Sequence, residues 1–118
     1  QLDKIVNDYK WLAKKQKCAC VLLSQLNRGL EARGDGRPRL SDLAESGAIE
    51  QVAENVLFVY YDYKVNMNKS REGENRIELI GSKVRYGTTG SVKLGYLGDR
   101  VKLFNSEDEL TRSKIDAI

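Results

Sequence analysis

Apolar residues in the first stretch of the chain fall at Leu2, Ile5, Val6, Tyr9, Leu12 and Ala13. Spacings of three and four place them on one stripe, with lysines on the remaining face, and predict an amphipathic helix running to about Lys17. The pattern then changes. Cys18-Ala-Cys-Val-Leu-Leu-Ser24 is apolar without alternation, as expected of a strand covered on both faces in a parallel sheet. A helix feeding such a strand is half of a βαβ unit, so the chain is expected to enter an α/β fold part way through, after the strand that should precede the first helix.

Further along, Asp42 and Glu45 have capping-box spacing, predicting a short helical turn that Gly47 breaks, and Ala48 to Asn55 reads as a second short helix. Val56 to Tyr61 and Ile77 to Lys83 are rich in β-branched and aromatic residues and predict two strands, with polar Asn66 to Asn75 as the exposed tip between them. Two more strands are predicted at Ser91 to Tyr96 and Val101 to Phe104, with Gly98-Asp99 as their turn. Residues 1–105 are thus expected to form one α/β unit. Ser106 to Glu109 could cap a helix, but the apolar spacing beyond it is weak, and residues 106–118 are expected to be a loosely ordered tail.

Composition narrows the function classes. At 118 residues there is room for one core only. Histidine is absent, which removes Ser-His-Asp and Cys-His catalysis and the commonest zinc sites. Cys18 and Cys20 alternate within an apolar run, which predicts buried, reduced thiols and a cytoplasmic protein. The run Cys18 to Leu23 is far shorter than the roughly 20 residues that cross a bilayer, and no basic, apolar leader opens the sequence, so no membrane partner is expected. With 20 Lys+Arg against 17 Asp+Glu the net charge is only +3, so the positions of the charges, not their sum, must point to a partner.

Three segments place them. In Leu23-Ser-Gln-Leu-Asn-Arg28 a predicted strand ends in polar residues at its carboxyl edge, where ligands bind in open α/β sheets. A neutral amide such as Gln25 can bond a phosphate or orient a water without repelling the anion; taken alone, the segment reads better as a polar strand exit. Next, Gly29, Gly34 and Gly36 are interleaved with Arg28, Arg33, Arg37 and Arg39. Such a basic loop can approach phosphates closely, or can simply be solvated. Finally, Lys83 and Arg85 lie two apart at a strand end and project from one face, ahead of Gly87 and Gly90, a clamp suited to a phosphoryl group. Basic strand ends are common, so this pair is weak evidence by itself. No G-x-x-x-x-G-K-[ST] loop occurs, since the nearest spacing, Gly90 to Gly95, is followed by Tyr96-Leu97. Cys18-Ala-Cys20 lacks the spacer and the further ligands of a zinc ribbon.

Taken in order, Ser24-Gln-Leu-Asn-Arg28, Arg37-Pro-Arg-Leu-Ser-Asp-Leu-Ala-Glu-Ser-Gly-Ala-Ile-Glu-Gln51, and Lys83-Val-Arg85 with Gly87 resemble the carboxyl half of the ATPase domain of bacterial and phage replicative DNA helicases of the DnaB type. The likeness covers about residues 1–105. It implies part of a RecA-like three-layer α/β core, with parallel strands followed by antiparallel hairpins. It also implies that Gln25 senses the γ-phosphate, and that Lys83 and Arg85 reach a neighbouring subunit's ATP, Arg85 as the arginine finger. Leu43 to Gly47 matches the loop that touches single-stranded DNA, so Ala44, Glu45 and Gly47 join Arg28, Arg33, Arg37 and Arg39 as the expected DNA-binding set. Ala44 stands where many members carry arginine, which would move one phosphate contact to Arg37 or Arg39, and Val84 and Tyr86 replace polar residues beside the finger. The family forms homo-hexamers that hydrolyse ATP with magnesium, translocate on one strand and unwind the duplex, with primase and a helicase loader as expected partners. Its P-loop and acidic magnesium-holding strand would lie upstream of Gln1, so the chain alone is expected to be inactive. Other readings are a recombinase-like or clock-type ATPase of the same superfamily, or a non-catalytic single-stranded DNA binding module; the Leu43–Gly47 segment and the Lys83/Arg85 pair favour the helicase.

Overall fold

The computed structural model describes residues 2–26, 34, 36–43, 47–66, 70 and 72–117. Helix α1 spans Leu2–Gln16, a 3-10 turn Leu40–Asp42, and helix α2 Ala48–Val52. Strand β1 (Asn55–Tyr60), helix α3 (Asp62–Val65) and strands β2 (Arg76–Val84), β3 (Gly90–Leu97) and β4 (Lys102–Phe104) follow, and helix α4 (Glu107–Asp116) closes the series. The fold is α/β, with the four strands in one antiparallel sheet in chain order.

Alternation shapes the sheet. Along β1, Val56, Phe58 and Tyr60 are buried while Leu57 and Val59 face out, as the two-residue repeat of a strand dictates. Val59 pairs with Leu79 and Tyr60 with Glu78 across the β1–β2 ladder, which shifts register between Val56 and Leu57. On β3, Leu94 and Val92 oppose Ile77 and Leu79, so the β-branched and aliphatic pairs line up on one face. Tyr61 and Tyr96 meet edge to face beside them, with ring centroids 5.2 Å apart. Elsewhere α1 packs on α2, burying Val6, Ala48 and Ile49, and Lys10 Nζ donates to the carbonyl of Val52 at 2.9 Å. The predicted helix from Ala48 is shorter than expected: Asn55 already belongs to β1.

The expected buried strand at residues 18–24 does not form. The segment has no ladder partner among the described residues, and Val21 and Leu23 are 86% and 92% exposed. Its one nearby pairing is the isolated antiparallel bridge Leu26–Leu43. An apolar run encodes a demand for neighbours on both faces and both edges, and none of the described elements supplies them. For the same reason Cys18 and Cys20, expected to be buried, are exposed free thiols. No strand pair among the described residues is parallel.

Residues 106–117 also differ from expectation, since they form a capped and docked helix rather than a loose tail. Ser106 Oγ accepts from the Glu109 N–H at 3.1 Å, and Glu109 Oε2 accepts from the Asn105 N–H at 2.8 Å, a reciprocal capping arrangement. Glu107, Asp108 and Glu109 place negative charge in the first turn, where the helix dipole favours it. Arg76 clamps the same end, its Nε and Nη2 donating to the two carboxylate oxygens of Glu107 at 3.0 and 2.9 Å. Leu110, 2% exposed, seats the helix on β3. Gly95 makes the close approach possible: a Cβ there would stand 2.5 Å from the Ser106 carbonyl oxygen and 3.1 Å from Leu110 Cβ. A single anchoring leucine leaves no apolar stripe to read in the sequence.

Two substitutions test this docking by chemical denaturation. Leu110→Ala is expected to cost about 2–5 kcal/mol. Gly95→Ala, which removes nothing, should destabilise too by pushing α4 off the sheet; an alanine variant as stable as the parent would show that the helix does not bear on β3.

Candidate functional site

The basic pair lies at the end of β2, where Lys83 pairs with Val56 and Val84 with Asn55. The β1–β2 ladder therefore brings both cations to the link between α2 and β1. Lys83 Nζ donates to the carbonyls of Glu50 and Gln51 at 2.7 and 3.2 Å. These belong to the last turn of α2, whose carbonyls lack helical partners and carry the negative end of the dipole. Arg85 is fixed through its main chain: its N–H donates to the carbonyl of Glu54 at 3.1 Å and to Asn55 Oδ1 at 3.3 Å. Its side chain reaches Glu54 Oε1, 2.6 Å from Nη1, with the guanidinium carbon 5.1 Å from the Tyr86 ring centroid. The Arg85 and Glu54 side chains are 46% and 42% exposed, so the guanidinium stands at the surface and not against the core.

Helix α2 connects this rim to the second segment. Gly47 is its N-cap, so the helix starts on the last residue of the Leu43–Gly47 stretch and ends on the carbonyls that hold Lys83. Gln25 is exposed and directly precedes Leu26, whose bridge to Leu43 brings the end of the polar Ser24-Gln25 exit to the start of the same stretch. Arg28, Arg33, Ala44 and Glu45 lie outside the described residues.

The remaining two arginines part company. Arg37 donates from Nη1 to Glu78 Oε1 at 3.1 Å and from Nη2 to Glu78 Oε2, and its guanidinium lies 5.5 Å from the Tyr60 ring centroid. Glu78 is 4% exposed, and a carboxylate buried without such a partner would be strongly destabilising. Hydrogen bonding from Arg37, with lesser help from Ser91 and the charge of Lys93, holds the Glu78 carboxyl below the ordinary range against the opposing effect of burial. Arg37, expected among the DNA-binding residues, is thus bonded to a buried carboxylate while its own side chain remains 41% exposed. Arg39 is exposed, its backbone tied to buried Asp42: the Arg39 N–H donates to Asp42 Oδ2 at 2.7 Å and the Asp42 N–H to the Arg39 carbonyl at 2.9 Å.

Glu78 and Asp62, like Glu54, escape the sequence reading. Glu78 carries one signal, a carboxylate at a core-facing position of an apolar strand. Asp62 carries none. It accepts from Tyr60 Oη at 2.9 Å, from Asn66 Nδ2 at 2.7 Å and from Ser70 Oγ, and these bonds, that of Ser70 foremost, hold its carboxyl below the usual range. The network fixes the exit of β1 into α3. Gly36, buried with φ +62°, lies so close to α3 that a Cβ would stand 2.5 Å from Val65 Cγ1. Among the described residues no three metal-ligating side chains come together, and no helix is long and apolar enough to cross a membrane.

Residues 1–105 match the family model described as the DnaB-like helicase C terminal domain. The chain is 38% identical over 115 residues to the replicative DNA helicase DnaB of Geobacillus stearothermophilus, covering 98% of this chain and 25% of the relative. It is 39% identical over 107 residues to the replicative DNA helicase DnaC of Bacillus subtilis (strain 168), covering 91% and 23%. Among solved structures, one of an ATPase domain superposes with a TM-score of 0.81 at 38% identity, over 87% of this chain and 36% of that one. A DnaB-like replicative helicase whose structure was determined for its interactions with primase gives a TM-score of 0.81 and 38% identity, over 88% and 24%. The chain therefore spans about a quarter of the length of the curated relatives it matches.

The depressed carboxyls of Glu78 and Asp62 imply an acid-sensitive fold. Each binds its proton less readily folded than unfolded, so its stabilisation is full above the unfolded carboxylate range, about pH 4, and is lost as the pH falls through the folded values. Unfolding midpoints followed against pH should drop on the acid side, with a shallower drop for Glu78→Gln. An unchanged acid slope in that variant would count against the ion pair as its source.

Proposed function

We propose, since this chain belongs to the DnaB-like helicase C terminal domain family, that it is the DNA-contacting and trans-acting half of the ATPase domain of a replicative helicase. In this reading six copies of the whole protein form a ring that hydrolyses ATP with magnesium, moves along single-stranded DNA and parts the duplex. The observation that carries it is the presentation of Arg85 at the surface, beside Lys83 and one short helix away from Gly47.

Each residue then has a chemical task. Arg85 meets the triphosphate bound by the adjacent subunit and neutralises charge that builds on the transferring phosphoryl group, with Lys83 as the second cation. Gln25 bonds the γ-phosphate with an uncharged amide, and the bridge from Leu26 to Leu43 gives its movements a path to the DNA-facing stretch. There Ala44, Glu45 and Gly47 line the strand, and Arg28 and Arg33 add charge. With Arg37 bonded to Glu78, Arg39 is the better placed of the two to supply the phosphate contact that Ala44 cannot make. The cation pair suits the trans side of an ATP site. The phosphate cradle and the magnesium ligands belong to a P-loop and an acidic strand elsewhere in the protein, and magnesium there supplies Lewis-acid stabilisation of the phosphates. Primase and a helicase loader are its partners, and the cytoplasm is its place of action.

Arg85→Ala in the full-length helicase should lower ATP turnover by roughly 10³–10⁵-fold and leave binding of a non-hydrolysable ATP analogue largely in place, weakened by about five-fold at most. Mixing it with subunits whose P-loop is inactivated should restore turnover at some interfaces; silence in every mixture would sink the trans role. The 118-residue chain on its own is expected to show no turnover, and magnesium-dependent hydrolysis by the purified chain would contradict the division of labour described here.

A further inference from the structure

Both cations of the basic pair are already satisfied by their own chain. Lys83 Nζ rests on the carbonyls of Glu50 and Gln51, and Arg85 Nη1 lies 2.6 Å from Glu54 Oε1. Neither acceptor is a triphosphate, and all lie on one short stretch, the end of α2 and its link to β1.

We propose that Glu54 is a positioning residue, a cis counter-ion that parks the Arg85 guanidinium and must be exchanged for the phosphate oxygens of the neighbouring subunit's ATP. The inference rests on the reading of Arg85 as a trans-acting finger and adds to it a competitor built into the same chain.

Three features of the geometry support exchange over a permanent structural tie. The pair is nearly half exposed on both sides, so water and incoming anions reach it and separating the two charges costs little. The backbone of Arg85 is held independently, by the Glu54 carbonyl and Asn55 Oδ1, so the side chain can swing out without dragging the strand end along. And the guanidinium has donors to spare: one nitrogen meets Glu54, leaving the planar fork able to engage a phosphate before it releases the carboxylate. Lys83 is parked in the same direction on α2. As that helix begins at Gly47, a shift of the DNA-facing stretch would move the very carbonyls and carboxylate that hold both cations.

In this proposal Arg85 already touches the γ-phosphate of bound ATP as well as the transition state. A competitor for its guanidinium therefore weakens ATP binding and raises the ATP concentration needed for half-maximal turnover, while the chemical step, reached with the finger engaged, changes little. The test is steady-state ATP hydrolysis by the full-length helicase carrying Glu54→Gln, which removes the charge and keeps both main-chain bonds to Arg85. The expected result is a KM for ATP lowered by about two- to five-fold, the range that a surface ion pair commands, with kcat within about two-fold of the parent. The difference in KM should shrink as salt is raised, because salt screens the exposed pair. Glu54→Asp, which keeps the charge, should sit closer to the parent than Glu54→Gln does. An unchanged KM, a raised KM, or a loss of kcat resembling that of Arg85→Ala would each overturn the parking role, the last by making the carboxylate a support that the finger needs. Arg85→Ala measured alongside separates the two ideas: if it leaves turnover intact, the finger reading fails; if it abolishes turnover while Glu54→Gln leaves KM unmoved, only the parking role fails.

Discussion

The antiparallel ladder between β1 and β2 is the constraint on which the rest depends. Its register places the end of β2 against the start of β1, and so against the link to α2. Without that pairing Lys83 and Arg85 would be two basic residues at a strand end, remote in sequence from Gly47 and Glu54. With it, the short stretch from Glu50 to Glu54 supplies acceptors for both cations, main-chain carbonyls for Lys83 and the Glu54 carboxylate for Arg85. The geometry of the candidate site is therefore a by-product of strand pairing, whose energy comes from the β-branched and aromatic side chains of the two strands more than from the polar groups at their ends.

A second tie fixes the loop that precedes α2. Glu78 is a charge on the buried side of the sheet, and Arg37 is its counter-charge, delivered by a segment 41 residues away. A buried ion pair of this type is seldom a large net stabiliser compared with apolar packing, but once present it is costly to break from one side. It holds residues 36–43 against the sheet, and the close approach of Gly36 to Val65 has the same effect from α3. The fold in this way restrains the root of the Leu43–Gly47 stretch, which we propose faces DNA.

How much of this could be read from the chain varies with the range of the forces involved. Helix α1 and the four strands were legible because their signal is local, a repeat of 3.6 or of 2. Arg85, expected on the same strand as Lys83, lies one residue beyond the end of β2. The run at residues 18–24 misled because continuous apolarity states that a segment wants covering and says nothing of which element covers it. Helix α4 was hidden because its stability comes from one leucine, a cap and the absent side chain of Gly95, none of which has a period. The pairing of Arg37 with Glu78 was hidden because the two are far apart along the chain, and only the fold could bring them together. Glu54 went unnoticed for the same reason.

The open segment at residues 18–25 bears on how the isolated polypeptide behaves in solution. It combines bare apolar side chains such as Val21 and Leu23 with main-chain donors and acceptors that no ladder occupies among the described residues, which is the recipe for strand addition. Two copies meeting along that edge would satisfy one another's backbone and hide the same side chains. Concentration-dependent association of the isolated polypeptide consequently reports on this edge as well as on any ring contact, and particle size by itself does not distinguish an aggregate seeded there from an assembly organised around nucleotide.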